Sequence, residues 1–114
     1  MGHGLIQKKC VPCEGGVPPL NKMQAGDYLK ETPGWEIMED GKKIKREFKF
    51  KSFKEAIVFV GKVAELAEEE GHHPDFHIFY NCVVLESWTH AIGGLSENDF
   101  ILAAKINILT NLRM

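Results

Sequence analysis

The stretch KKIKREFKFKSFKEA, residues 42–56, changes its period in the middle, and that change decides the fold. From Lys42 to Lys51, Ile44, Arg46, Phe48 and Phe50 point one way, while Lys43, Lys45, Glu47, Lys49 and Lys51 point the other. Alternation of period two marks a strand with one buried and one wet face. After Ser52 the spacing becomes three and four. Phe53, Ala56, Ile57, Val60, Val63, Ala64 and Ala67 form one apolar stripe along a helix. Ser52, with Glu55 three residues on, has the spacing of a capping box at its start.

The same reading extends outward in both directions. Upstream, Asp40-Gly41 is a tight-turn dipeptide, so Trp35–Glu39 pairs with Lys42–Lys51 as a hairpin. Before it, Asn21 and Gln24 have capping-box spacing and open a helix that runs to about Lys30, short of Thr32-Pro33-Gly34. Downstream, Glu68-Glu69-Glu70 crowd the helix's last turn, where the backbone dipole disfavours negative charge, and Gly71 fits the residue that ends it. Phe76–Tyr80 and Val83–Thr89 read as a second hairpin around Asn81-Cys82. Gly93-Gly94-Leu95 breaks its second strand, and Ser96-x-x-Asp99 opens a last helix carrying Ile101, Leu102, Ala104, Ile106, Ile108, Leu109 and Leu112. That helix is apolar around much of its circumference, more than one sheet needs, so burial against a second subunit is expected. The order is α-β-β-α-β-β-α, an α+β two-layer fold with a four-stranded antiparallel sheet covered on one face by helices. Residues 1–19, rich in Gly and Pro, read as an irregular arm, and residues 20–114 as the domain.

Composition bounds the function. A chain of 114 residues, 44% hydrophobic and 26% charged, has the make-up of one soluble globular domain. With a net charge of −2 there is no global field for nucleic acid or anionic lipid. No stretch approaches the ~20 apolar residues of a membrane span, and the N-terminus lacks a signal sequence's apolar core. A cytoplasmic protein that binds neither membrane nor nucleic acid is expected. Three cysteines are an odd count, against a disulfide framework. Cys10 and Cys13 form a Cys-x-x-Cys pair, but a structural zinc needs four ligands and no second pair follows, with only His3 nearby. Two reduced thiols in a short loop is the simpler reading.

Chemistry concentrates between Gly71 and Asp99. His72-His73-Pro74 leave a helix end on a connection stiffened by proline, and His90 follows the returning strand. Imidazoles titrate near neutral pH, so such a cluster holds both a proton donor and a proton acceptor. Adjacent His72 and His73 rarely aim at one ion, which argues against a three-histidine metal site. His77 alternates with Phe76 and Ile78 and faces away from the cluster. Trp88 is either core or a wall for a flat ring. Asp99 has a structural explanation in capping the last helix.

Taken together, Glu70-x-His72-His73-Pro74, Tyr80, His90 and Asp99 resemble the pattern of the pterin-4a-carbinolamine dehydratases. The likeness runs from about Leu20 to the C-terminus and includes Pro33-Gly34-Trp35, Phe48–Phe53 and Gly94-Leu95-Ser96-Glu97-Asn98-Asp99. It departs at Gly71, where a polar or acidic residue often stands. The resemblance implies a hydro-lyase that dehydrates 4a-hydroxytetrahydropterin to quinonoid dihydropterin, without metal or redox cofactor, for an aromatic amino-acid hydroxylase. It implies His72, His73 and His90 as catalytic residues, with His73 the principal acid/base, His90 on the opposite proton and His72 binding or assisting. Trp35 and Trp88 would wall the pocket, and Thr89 and Asp99 would supply polar contacts. A homodimer or homotetramer through the last helix is expected. The alternative the resemblance leaves open is a non-catalytic module that assists assembly or transcription.

Overall fold

A computed structural model describes residues 4–11 and 18–112. The elements run α1 (Gly4–Gln7), α2 (Lys22–Leu29), β1 (Glu36–Met38), β2 (Lys43–Lys49), α3 (Phe53–Glu70), β3 (Asp75–Phe79), β4 (Cys82–Ser87) and α4 (Glu97–Leu112). All strand pairs are antiparallel and the sheet order is β1-β2-β4-β3. The α+β architecture is the expected one, with a short helix added in the arm. Leu5 of that helix is buried in the main core, so the arm packs on the domain. Cys13 and His3 lie outside the described residues.

Local signals explain most element boundaries. Asn21 and Gln24 form the reciprocal capping box, 2.8 Å and 2.9 Å in its two directions. Ser52 accepts from the Glu55 backbone N–H at 3.1 Å, while the Glu55 carboxylate reaches the Lys51 N–H at 3.3 Å. Asp40 and Gly41 both adopt positive φ, 56° and 90°, between β1 and β2. Gly71 ends α3 in the left-handed region at φ 68°, which a side chain would strain. The helix needs this glycine, which accounts for the missing polar side chain before the histidine pair.

Both hairpins and the stripe of α3 differ from expectation. The first hairpin closes through four residues, 39–42, with Met38 opposite Lys43, so its strands are shorter than Trp35–Glu39 and Lys42–Lys51, and β4 stops at Ser87 rather than Thr89. The second hairpin turns at Tyr80-Asn81, not Asn81-Cys82, because Phe79 pairs with Cys82. Tyr80 takes the positive φ of 54°. Asn81 is held there by bonds of 2.9 Å in both directions with the Phe50 backbone. In α3 the buried line is Ala56, Phe59, Val63, Ala67 and Glu70, while Phe53 and Ile57 are exposed. Phe59 lies between Phe48 and Phe50, ring centroids 4.8 Å and 5.1 Å away, so the aromatic face of β2 rotates the stripe towards it.

The last helix is buried on all sides through its first half. Phe100, Ile101, Leu102, Ala103 and Ala104 are five consecutive buried residues. Helices α1, α2 and α3 all contact α4, with Tyr28 stacked on Phe100 at 5.3 Å. The apolar circumference that suggested a second subunit is thus largely covered inside the chain. Trp35 packs edge-on against Phe48 and donates its indole N–H to Asn107 at 2.9 Å.

The acidic end of α3 also finds its compensation in tertiary structure. Glu70 is buried and accepts from the Cys10 backbone N–H at 2.9 Å and from Lys105 at 2.6 Å. Burial alone would push its carboxyl up, but the Lys105 bond, the Cys10 N–H and the charges of Lys105 and Lys9 together hold it below the usual carboxylate range. Its folded value lies below its unfolded one, so its stabilisation is present above the unfolded value and lost as pH falls through the folded one. Glu70→Gln should lower stability at pH 7 by about 2 kcal/mol, less than the ~3–5 kcal/mol for breaking a fully buried pair, because Lys105 is partly exposed. Denaturant midpoints should show this gap between wild type and variant narrowing as pH drops through the carboxylate range.

Candidate functional site

The site begins at one carboxylate. Asp99, in the first turn of α4, is fully buried and surrounded by donors. Its Oδ1 accepts from Ser87 Oγ at 2.6 Å and meets His72 Nε2 at 2.7 Å. Its Oδ2 accepts from Thr89 Oγ1 at 2.9 Å and from the Ser96 backbone N–H at 3.0 Å. A buried charge tolerates this position only because the bonds replace its hydration. Thr89 gives its proton to Asp99, so at the 2.7 Å contact between the two hydroxyls Ser96 is the donor. Asp99 therefore both caps α4 and ties His72; the capping explanation is correct and incomplete.

The end of α3 explains which histidine meets it. The β3–β4 ladder begins only at Asp75–Glu86, and His72, two residues beyond α3, still has its N–H bonded to the Ala67 carbonyl at 3.2 Å. His72 and Thr89 both reach Asp99. With Nε2–H directed at the carboxylate, the His72 Nδ1 is the nitrogen left for other chemistry.

His73 and His90 are the accessible imidazoles on the two connections beside Asp99, after α3 and after β4. His73 Nε2 lies 2.6 Å from Glu68 Oε2 on the last turn of α3, and both side chains are exposed. His90, in the one-turn 3-10 helix His90–Ile92, stacks on Trp88 with centroids 3.9 Å apart and an interplanar angle of 25°. Lys43 sits 5.5 Å from the Trp88 ring centroid and 3.5 Å from Glu86. The Trp88 indole N–H is buried without an acceptor among the described residues. The turn carrying His90 is closed by the Thr89–Gly94 bridge, with Gly93 at φ 66°. The stack of His90 on Trp88 offers one flat, cation-edged surface.

Of the residues expected in the site, His72, Thr89 and Asp99 are joined by hydrogen bonds, and Trp88 and His90 flank Thr89 in sequence. Trp35 lies elsewhere. Its partner Asn107 is eight residues from Asp99, about 12 Å along α4, and its ring is in the core. His77 is exposed with Nε2 3.7 Å from Glu86, away from Asp99. Glu68, Ser87, Ser96 and Lys43 are the participants that sequence reasoning missed. Glu68 had one signal, its place four and five residues before the histidine pair at a helix end. The others become visible only with the strand register. Among the described residues no cluster of three His, Cys, Asp or Glu side chains has metal-binding geometry.

Residues 18–109 match the family model described as pterin 4 alpha carbinolamine dehydratase. A Rickettsia bellii protein is 48% identical over 107 residues, covering 94% of this chain and 95% of its own. A Methylococcus capsulatus protein is 49% identical over 105 residues, covering 92% of each. Both carry a provisional pterin-4-alpha-carbinolamine dehydratase name. The crystal structure of a transcriptional coactivator/pterin dehydratase from Brucella melitensis superposes with a TM-score of 0.76 at 33% identity, covering 80% of this chain and 97% of its own.

The carboxylate network makes a stability prediction. Asp99→Ala leaves buried donors from Ser87, Thr89 and Ser96 without their acceptor and should cost about 3–5 kcal/mol. His90→Ala, at an exposed position with only its stacking to lose, should cost about 1 kcal/mol or less. Chemical denaturation of the two variants beside wild type measures the difference.

Proposed function

The chain belongs to the pterin-4a-carbinolamine dehydratase family, and from that premise we propose that it eliminates water from a 4a-hydroxytetrahydropterin by histidine acid/base catalysis. The observation that carries this reading is the division of labour among three imidazoles. His72 is fixed by a buried carboxylate. His73 is exposed and paired with Glu68, and His90 is laid open on an indole face.

The reaction needs two proton movements and no net oxidation. A donor protonates the C4a hydroxyl, an acceptor removes a ring N–H proton, and the nitrogen lone pair expels water to leave the quinonoid dihydropterin. His73 is assigned the principal acid/base role, and the Glu68 carboxylate beside it orients the ring. His90 serves the opposite proton, while Trp88 and His90 together offer a face for the flat heterocycle. His72 binds or assists through Nδ1, with Asp99 and Thr89 holding it. Each correctly placed donor or acceptor contributes roughly 10²–10⁴ in rate. The substrate is a product of an oxygenating pterin enzyme, of which the aromatic amino-acid hydroxylases are the type that the resemblance implies.

A second reading is supported by the name of the Brucella structure, which joins coactivator to dehydratase. Two groups of exposed apolar side chains suit protein contact: Phe53, Ile57 and Val58 on α3, and Ile78, Phe79 and Tyr80 at the β3 hairpin. A homodimer or homotetramer would use such surfaces together with the half-buried Ile108 and Leu109 of α4. No helix among the described residues is long and apolar enough to cross a membrane.

Purified protein should accelerate dehydration of synthetic 4a-hydroxytetrahydropterin, followed by its ultraviolet absorbance. His73→Ala should lose about 10²–10⁴ of that rate while melting like wild type, since the side chain is exposed. A wild-type rate no faster than buffer would overturn the enzymatic reading. Light scattering at micromolar concentration should give a dimer or tetramer, and a monomer would count against self-association.

A further inference from the structure

We propose that the N-terminal arm is a clamp that positions His72 against Asp99, joining the last turn of α3 to the first turn of α4. Those two turns are distant in sequence; Asp99 lies in the second, and His72 follows the first by two residues. Four successive arm residues stitch across them. Lys8 pairs with Glu97 at 2.5 Å, and Lys9 donates to the Glu69 carbonyl at 2.7 Å. Cys10 donates its backbone N–H to Glu70 at 2.9 Å and its thiol to the Asn98 carbonyl at 3.5 Å. Val11 exchanges two bonds with the Asn98 side chain, 3.0 Å and 2.6 Å. The arm's contacts therefore alternate between α4 and α3, ending two residues before His72 on one side and one residue before Asp99 on the other.

The clamp is anchored at both ends. Leu5, 2% exposed, is fixed in the core, and beyond the undescribed segment the Leu20 N–H bonds the Leu95 carbonyl at 2.9 Å. Gly94 lies so close to Pro19 that a Cβ there would come within 2.8 Å of the proline Cβ. The second end thus meets the entrance to α4, and the first, through α1, packs on α4 itself. Several of the bonds use backbone groups, which have no rotamer freedom, so the geometry they transmit is narrow. A buried carboxylate held on one side by Lys105 and on the other by an arm N–H leaves little play at the end of α3.

Cys10 fits this role better than a reactive one. Burial, then the charge and hydrogen bond of Glu70, push its thiol up to about 12, so it stays protonated and donates to Asn98. The arm residues touch no reacting atom; they are positioning residues acting through His72. The kinetic consequence rests on the dehydratase reading, while the structural consequence does not.

The test uses the full chain with two independent substitutions. Leu5→Asp places a charge where the arm is anchored and should release it. Val11→Pro deletes one part-buried N–H donor to Asn98 and, the Val11 side chain being exposed, creates no cavity. Three measurements accompany each: hydrogen exchange at the Cys10 amide, the His72 imidazole titration by nitrogen NMR, and kcat and KM for synthetic 4a-hydroxytetrahydropterin. Both substitutions should speed Cys10 exchange, shift the His72 titration and lower kcat about tenfold with KM nearly unchanged, as loss of alignment does. Asn98→Asp, which keeps the acceptor for Val11 and loses the donor, should fall between them and wild type. Faster exchange with an unaltered His72 titration would overturn the clamp, as would Cys10 exchange that neither substitution speeds. Should the wild-type protein fail to dehydrate the pterin, the enzymatic reading falls, and the exchange and titration data still decide the clamp.

Discussion

A buried carboxylate with four donors sets the terms for the rest of this structure. Asp99 is out of contact with solvent, and an unpaired charge there would be untenable. Its donors come from the end of β4, the strand's exit at Thr89, the loop residue Ser96 and the connection after α3. Satisfying one aspartate therefore fixes three chain segments relative to one another. The site is where those segments converge.

The sheet supplies the second constraint. Antiparallel pairing of β3 with β4 returns the chain from the histidine pair to Trp88 and His90 over a single tight turn. Thr89 reaches the carboxylate, while His90 leaves on the 3-10 turn that follows and stacks on Trp88. The enclosed, tethered imidazole and the accessible, stacked one thus sit on the two connections that flank the β3–β4 hairpin. The arm adds a third tie, at the helix ends, using Glu70 and Asn98 as its receivers.

Much of this was legible in the residues themselves. Asn21–Gln24, Ser52–Glu55 and Gly71 act locally, through caps that depend on residues three or four apart, and each occurs where its spacing places it, while Asp40-Gly41 turns the chain inside a four-residue connection. Phe59 was missed because the helix stripe was chosen from α3 alone, while its rotation is set by Phe48 and Phe50 across the core. The hairpin turn was displaced by one residue because Asn81 looked like a turn former, and its amide is in fact committed to Phe50. Glu70 read as a dipole penalty because Lys105 and Cys10, which compensate it, are 35 and 60 residues away in sequence.

Periodicity, capping and motif spacing are short-range properties, so the α+β order, the sheet's two faces, most helix ends and the histidine pattern that resembles the dehydratases are written in the residues. That Asp99 holds His72, that Glu68 partners His73, that Trp35 belongs to the core and that the arm joins α3 to α4 emerges from the folded chain alone. Those facts depend on strand register and on which buried polar groups find partners across the fold. Hydrogen bonds between segments far apart along the chain leave no local trace in either partner.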